Sequence, residues 1–365
     1  MRRRPTLLIA LVALITGLLL GGSVVAVAAS SDPCDKLFSS STTSKLKAYT
    51  ACREDRQDAA LKRIESQLAA IAPPTSSPPP ASPSPSPSVT SKPSPSPSPS
   101  PSPSDTPTQP AGDGPAGPAN TGVPDGTTLS AYTGPSTITT AGTVIDAKKI
   151  TSCLVIKADN VTIKNSLIQS TCFFNVLSDN GNTGIRLTDV EIDGRNNTGS
   201  DSAVNGGGYT CLRCDVHGTI DGFKAGTGVT IQDSWIHDLA MTNDSHNDGI
   251  QSLGTTRLTI SGNTIVLADG ATSAVILSTG SASDMRNISI DDNLLGGGAF
   301  TVYGGYQAGS DAKSKVSNIS ITNNRFTTQI HPRSGAYGPL TSTDSPVVVT
   351  GNTWADGPNA GKPVS

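Results

Sequence analysis

A short phrase recurs through the C-terminal two thirds of this chain, and it leaves few folds open. NVTIKNSLI at 160, GIRLTDVEI at 184, YTCLRCDV at 209, GVTIQDSWI at 228, RLTISGNTI at 257, NISIDDNLL at 287, NISITNNRF at 318 and PVVVTGNTW at 346 share one register. Each alternates apolar residues, passes through Asn, Asp, Ser or Gly, and closes on an apolar residue. A weaker phrase lies between them: CLVI at 153, CFFNV at 172, SAVN at 202, DGFK at 221, DGIQ at 248, SAVIL at 273 and FTVY at 300. The major phrases begin 19 to 31 residues apart, with no helical pattern between them. Residues 119–365 carry 20 Asp and a single Glu, Glu191, which suits turns rather than helices. Two or three short strands per repeat imply stacked coils about 4.8 Å apart with apolar columns inside. The expected fold is all-β, a right-handed single-stranded parallel β-helix over 119–365.

The preceding residues are unlike this region. Residues 1–29 begin with Arg2, Arg3 and Arg4, run apolar from Leu7 to Leu20 and end in small residues, which reads as an export signal. An uncleaved membrane anchor is the alternative, and membrane contact is expected through this segment alone. Residues 30–72 form a short helical segment, with Leu61, Ile64, Leu68 and Ile71 on one face. Residues 73–118 are dominated by Pro and Ser and read as a disordered linker. In polyproline II they would span roughly 140 Å, enough to cross a thick wall. The whole is expected to be secreted or attached to the cell surface or wall, and monomeric. Against those 21 acidic residues, 119–365 holds 15 Lys and Arg, without a basic stripe for nucleic acid.

In an oxidising compartment Cys34 can pair with Cys52 across a hairpin, and Cys153 with Cys172 on successive coils. The lone CxxC at Cys211 and Cys214 falls at inward positions. It reads as a buried pair or a disulfide rather than a zinc site. The sequons at Asn160 and Asn287 fall at strand starts and read as fold pattern.

Stacking the phrases in register gathers the polar residues. TIDGFK falls under HNDGIQ, which sets Asp221 beneath Asp248 and Lys224 beneath Gln251, with Asp201 one coil earlier. His246 precedes Asp248 by two. Asp221, Lys224, His246 and Asp248 are the expected catalytic or ligand-binding centre, facing solvent on one edge. Repeated Asp-Gly would also serve merely to close turns. Like charges one coil apart need a cation, a shared proton or a ligand to coexist, which favours a site. A second column holds Asp193, His217 and His237. Trp235 is expected as a sugar platform, with Asp201, His237, Gln251, Tyr303 and Arg325 as further substrate contacts and Arg333 as a weaker one. No cofactor is assigned; Ca²⁺ is the candidate ion, held by Asp221 and Asp248 if the activity needs it.

The repeat resembles the right-handed parallel β-helix superfamily that includes pectate lyases and polygalacturonases. GVPDGTTLSAYTGPSTI, TIDGFKAG, SWIHD, HNDGIQ and GGGAFTVYGG are similar to segments of secreted actinobacterial β-helix proteins. The resemblance covers about 120–357 and implies the fold. It does not carry over catalytic residues: SWIHD only superficially resembles the pectate lyase WIDH segment, and a paired arginine motif is absent. The expected activity is that of a lyase or glycoside hydrolase on an extended, uronate-containing or neutral polysaccharide lying in a groove along the coil. A lyase would use Lys224 or His246 as base, and an inverting hydrolase a carboxylate pair such as Asp201 and Asp248. The alternative is a non-catalytic surface adhesin or polysaccharide-binding module, against which the scarcity of aromatic residues weighs.

Overall fold

The computed structural model describes residues 114–178, 181–242, 245–279, 284–308 and 315–364. The export signal, the helical segment, most of the Pro/Ser linker and the Cys34–Cys52 pairing lie outside the described residues.

The described chain is a parallel β-helix made of two stacked sheets. The major phrases build the long sheet, from Thr162–Gln169 through Ile185–Asp193 and onward to Val347–Thr350 and Thr353–Trp354. The weaker phrases build the short sheet, which includes Phe174–Ser178, Ser202–Gly206, Asp221–Ala225, Asp248–Ser252, Ser273–Leu277 and Phe300–Tyr306. Every pairing between these strands is parallel and joins one coil to the next, as with Val229↔Leu258↔Ile288↔Ile319↔Val347. Such columns are fully buried and line the coil: Ile163, Leu187, Cys211, Ile231, Ile260, Ile290 and Ile321 have no exposed surface.

The polar middle of each major phrase does two jobs. Its first residue bends the strand through the left-handed region, at Asn165, Asp189, Arg213, Asp233, Gly262, Asp292, Asn323 and Gly351, with φ from 47° to 73°. Asn, Asp and Gly tolerate that conformation better than other residues. The next residue turns inward and builds a ladder. Asn263 Oδ1 accepts the Ser234 amide at 2.9 Å, and Asn263 Nδ2 donates to the Ile231 carbonyl at 2.9 Å. Asn293, Asn324 and Asn352 repeat the pattern, each Oδ1 also accepting Nδ2 of the Asn one coil before. The ladder supplies partners for backbone groups that the bend removes from the sheet. Asn160 and Asn287 are likewise left-handed, at φ 58° and 57°, which gives these sequon asparagines a place in the coil geometry.

Arg213 occupies one bend and forms a two-pronged ion pair with Asp189 at the bend below, at 2.6 and 2.8 Å. Both are buried. Residues 114–123 lie over this region: the Gly122 amide donates to the Arg213 carbonyl at 2.9 Å, and Ala116 and Thr121 are buried. A disulfide joins Cys153 to Cys172, and another joins Cys211 to Cys214, whose side chains lie in the core.

Candidate functional site

Two polar clusters flank the corner where each coil leaves the long sheet and enters the short one. The first is the stack expected from TIDGFK and HNDGIQ. Lys224 pairs with Gln251 and Phe223 with Ile250, so Asp221 lies under Asp248. Lys224 Nζ bonds Asp201 Oδ2 at 2.7 Å and lies 3.6 Å from Asp221 Oδ2. Asp201, Asp221, Lys224, Asp248 and Gln251 are therefore one network.

Its central carboxylates do not face solvent, contrary to the expectation, while Lys224 and Asp201 at its edge stay partly exposed, at 28% and 20%. Asp221 is 3% exposed and Asp248 not at all. Asp221 Oδ1 accepts the Asp248 amide at 2.9 Å, and Asp248 accepts from Ser273 Oγ at 2.5 Å and Gln251 Nε2 at 3.2 Å. Gln251 is itself buried, and His246 half-buried. The physical cause is the stacking: side chains from the coils above and below close over each carboxylate. Burial raises the Asp221 pKa well above the carboxylate range, and Asp248 opposite raises it further. Burial also pushes Asp248 up to about 6, against the hydrogen bonds from Ser273 and Gln251. Burial pulls the Lys224 pKa down, but the Asp221 and Asp201 charges outweigh it and the net shift is upward. An ammonium held charged in this way is a cation, not the base that a lyase needs.

The network does not fit Ca²⁺. The Lys224 ammonium occupies the place of the cation, and an amide, a hydroxyl and a side-chain NH₂ already bond the carboxylate oxygens. Among the described residues no three His, Cys, Asp or Glu are arranged to hold a metal ion.

The second cluster lies on the outer face of the long sheet, on four consecutive coils. Gln169, Asp193 and His217 are in register, and the Val216↔Ile236 pairing sets His237 next in that column. Glu191, Asp215 and Trp235 form the column beside it. His237 lies between two carboxylates, with Nε2 2.9 Å from Asp215 and Nδ1 2.7 Å from Asp238. Its ring stacks on Trp235, with centroids 3.4 Å apart and planes 15° apart. One face of the expected sugar platform is thus covered by an imidazole.

His217 is held more loosely, 3.4 Å from Glu191 and 3.8 Å from Asp193, and its ring lies 5.2 Å from that of His237. The Glu191 hydrogen bond raises the His217 pKa, burial opposes this, and the charges of Asp215 and Asp193 add to the rise. This cluster is open at one end: side-chain exposure is 24% at His217 and 33% at Glu191, against 14% at His237 and 16% at Asp215. Sequence reasoning found the histidine column but missed Glu191 and Asp215. Both stand out as acidic residues at alternate positions of strands whose other face is apolar.

The remaining expected contacts disperse. Tyr303 is buried beside Phe300 rather than presented to solvent, because the next coil, at Thr341, covers it. Arg325 is exposed in the column of Trp235 but three coils further along. Arg333 bonds the Ala336 carbonyl within its own loop.

No protein-family model matches the chain, and no curated protein matches it. Among solved structures it is similar to the periplasmic alginate epimerase AlgG, at 13% identity and a TM-score of 0.42. The match covers 57% of this chain and 49% of that one, so the chain spans about half the length of that structure.

Proposed function

We propose that this β-helix acts on an extended polysaccharide laid across the coils at the histidine cluster, and that it hydrolyses a glycosidic bond there. The observation that carries this reading is the gathering of two imidazoles, an indole and four carboxylates on one outward face, where packing demands none of them. Glu191 and Asp215 project from neighbouring strands in register. Their backbones are about 4.8 Å apart, so the two side chains stand beside one another on the face. Glu191, held by its bond to His217, would protonate the leaving oxygen. Asp215, bonded to His237, would attack the anomeric carbon as the leaving oxygen departs, and water deprotonated by Glu191 would then displace the sugar from Asp215. The free face of Trp235 would carry a sugar ring.

Elimination from a uronate is the weaker reading at this point. Four carboxylates surround the histidines, and the arginine nearest in sequence, Arg213, is bound to Asp189. Among the described residues no Lys or Arg ion pair joins the cluster, and each imidazole is already held by carboxylates, whereas an eliminating enzyme needs a cation free for the substrate carboxylate. The two disulfides support a protein that works in an oxidising compartment. The export segment and the Pro/Ser tether belong to the same reading: a monomer delivered to polymers outside the cytosol.

The test is turnover of a polysaccharide panel by the purified chain, reading new reducing ends and unsaturated product in parallel. New reducing ends without unsaturation are expected, with Glu191→Gln and Asp215→Asn each lowering kcat by at least about 100-fold. Unsaturated product, or full activity in both variants, would overturn the proposal.

A further inference from the structure

The opposite corner, where each coil leaves the short sheet and re-enters the long one, holds a cleft of about 660 Å³. It is lined by residues 181–186, 207–210, 226–228, Gly254 and Arg257, and no Asp or Glu is among them. Its floor is backbone. A Cβ on Gly208 would meet the Asn182 carbonyl oxygen at 1.9 Å, so the coils approach here too closely for side chains to fill the space. Among the described residues the only charges in the lining are Arg186 and Arg257, both exposed. Among the described residues neither guanidinium has an ion pair or side-chain hydrogen bond.

We propose that this cleft binds an acidic polysaccharide through its carboxylate groups, as a second site distinct from the histidine corner. Two unpaired guanidiniums over a backbone floor suit planar carboxylates, which they can engage through paired hydrogen bonds. Their separation selects a polymer over a small anion. Arg186 pairs with Thr210, Thr210 with Thr230 and Thr230 with Thr259, while Arg257 stands two residues before Thr259. The arginines are thus three coils apart, roughly 14 Å along the axis. The Arg257 side chain reaches back one coil, to within 3.7 Å of where a Gly228 Cβ would lie, and still leaves about two coils between the charges. One carboxylate cannot bridge that distance; a chain with carboxylates on successive sugars can, running parallel to the axis.

Binding is measured by calorimetry on the full chain, using galacturonic acid, galacturonate oligomers of increasing length, neutral dextran and inorganic phosphate. Affinity is expected to rise at least 10-fold from monomer to the longer oligomers, with dextran silent and phosphate no stronger than the monomer. Arg186→Ala and Arg257→Ala should each weaken the longer oligomers about 10-fold and leave the melting temperature unchanged, since both side chains are exposed. Glu191→Gln should leave this binding intact, which separates the cleft from the turnover proposed at the other corner. Length-independent binding, equal binding of phosphate, or full affinity in the double arginine variant would overturn the assignment.

Discussion

Asp248→Asn should make the protein more stable at neutral pH, although it alters a fully buried hydrogen-bonded carboxylate. Burial holds the Asp248 pKa at about 6, against an unfolded value of 3.8. The native state therefore binds this proton more tightly than the unfolded chain. Stability from this group is fully present below pH ~4, falls between pH ~4 and ~6, and is absent above. A shift of about two units corresponds to roughly 3 kcal/mol, or roughly 6–12 °C in melting temperature for a domain of this size. Asparagine keeps an oxygen for Ser273 and presents an amide to Gln251, whose own amide can turn to accept it. It also relieves Asp221 of the charge that raises its pKa. Melting curves of wild type and variant at pH 4 and pH 8 make the comparison. The two should nearly coincide at pH 4, and the variant should melt higher at pH 8. A variant that melts lower at both, or a gap that does not change with pH, would refute the claim that the ionised carboxylate is an energetic burden here.

Other perturbations probe the coil itself. Arg213→Met leaves Asp189 charged and buried, and should cost about 3–5 kcal/mol by urea unfolding; the double variant with Asp189→Leu should recover most of that. Asn293→Ala removes the middle rung of the ladder and leaves the Asn263 amide and the Ile260 carbonyl without their partners, so a loss of about 2–4 kcal/mol is expected in the same assay. Cys153→Ser with Cys172→Ser releases a loop of 19 residues and should cost about 3 kcal/mol, seen as a lowered melting temperature that reductant no longer affects at this site.

Much of the fold was legible because its period is written in the sequence. The eight major phrases became the long sheet and the seven weaker ones the short sheet, with Lys224 paired to Gln251 and His217 to Asp193 as the register required. Alternation and a conserved offset are local signals that survive without coordinates. The asparagine ladder was half legible. Asn263, Asn293, Asn324 and Asn352 were visible as repeated polar residues, but a turn asparagine and an inward one look alike in sequence. Only the left-handed residue before each one decides that its side chain enters the coil.

Burial of the aspartate stack was not legible, and the reason lies in the glycine beside it. In an unbroken strand Asp221 and Phe223 would share a face, and Lys224 would point the other way. Gly222 breaks that rule: a Cβ there would lie 2.8 Å from Ile236 Cγ2 inside the coil, and Phe223 is also fully buried, so two successive residues turn inward. Asp221 and Lys224, three apart, then come out on the same side and meet at 3.6 Å. Gly249 repeats the geometry against Ile265, which places Gln251 over Asp248. Each Asp-Gly thus folds a long polar side chain back over its own carboxylate, and the coil above completes the cover. The same irregularity that assembles acid, cation and amide into one network also removes the two carboxylates and the amide from solvent, leaving the cation partly exposed. The long-sheet strands at Asp215–His217 and Trp235–Ile236 have no such doubling, so their acids, histidines and indole stay on the outer face, half-buried against one another rather than closed over by the next coil.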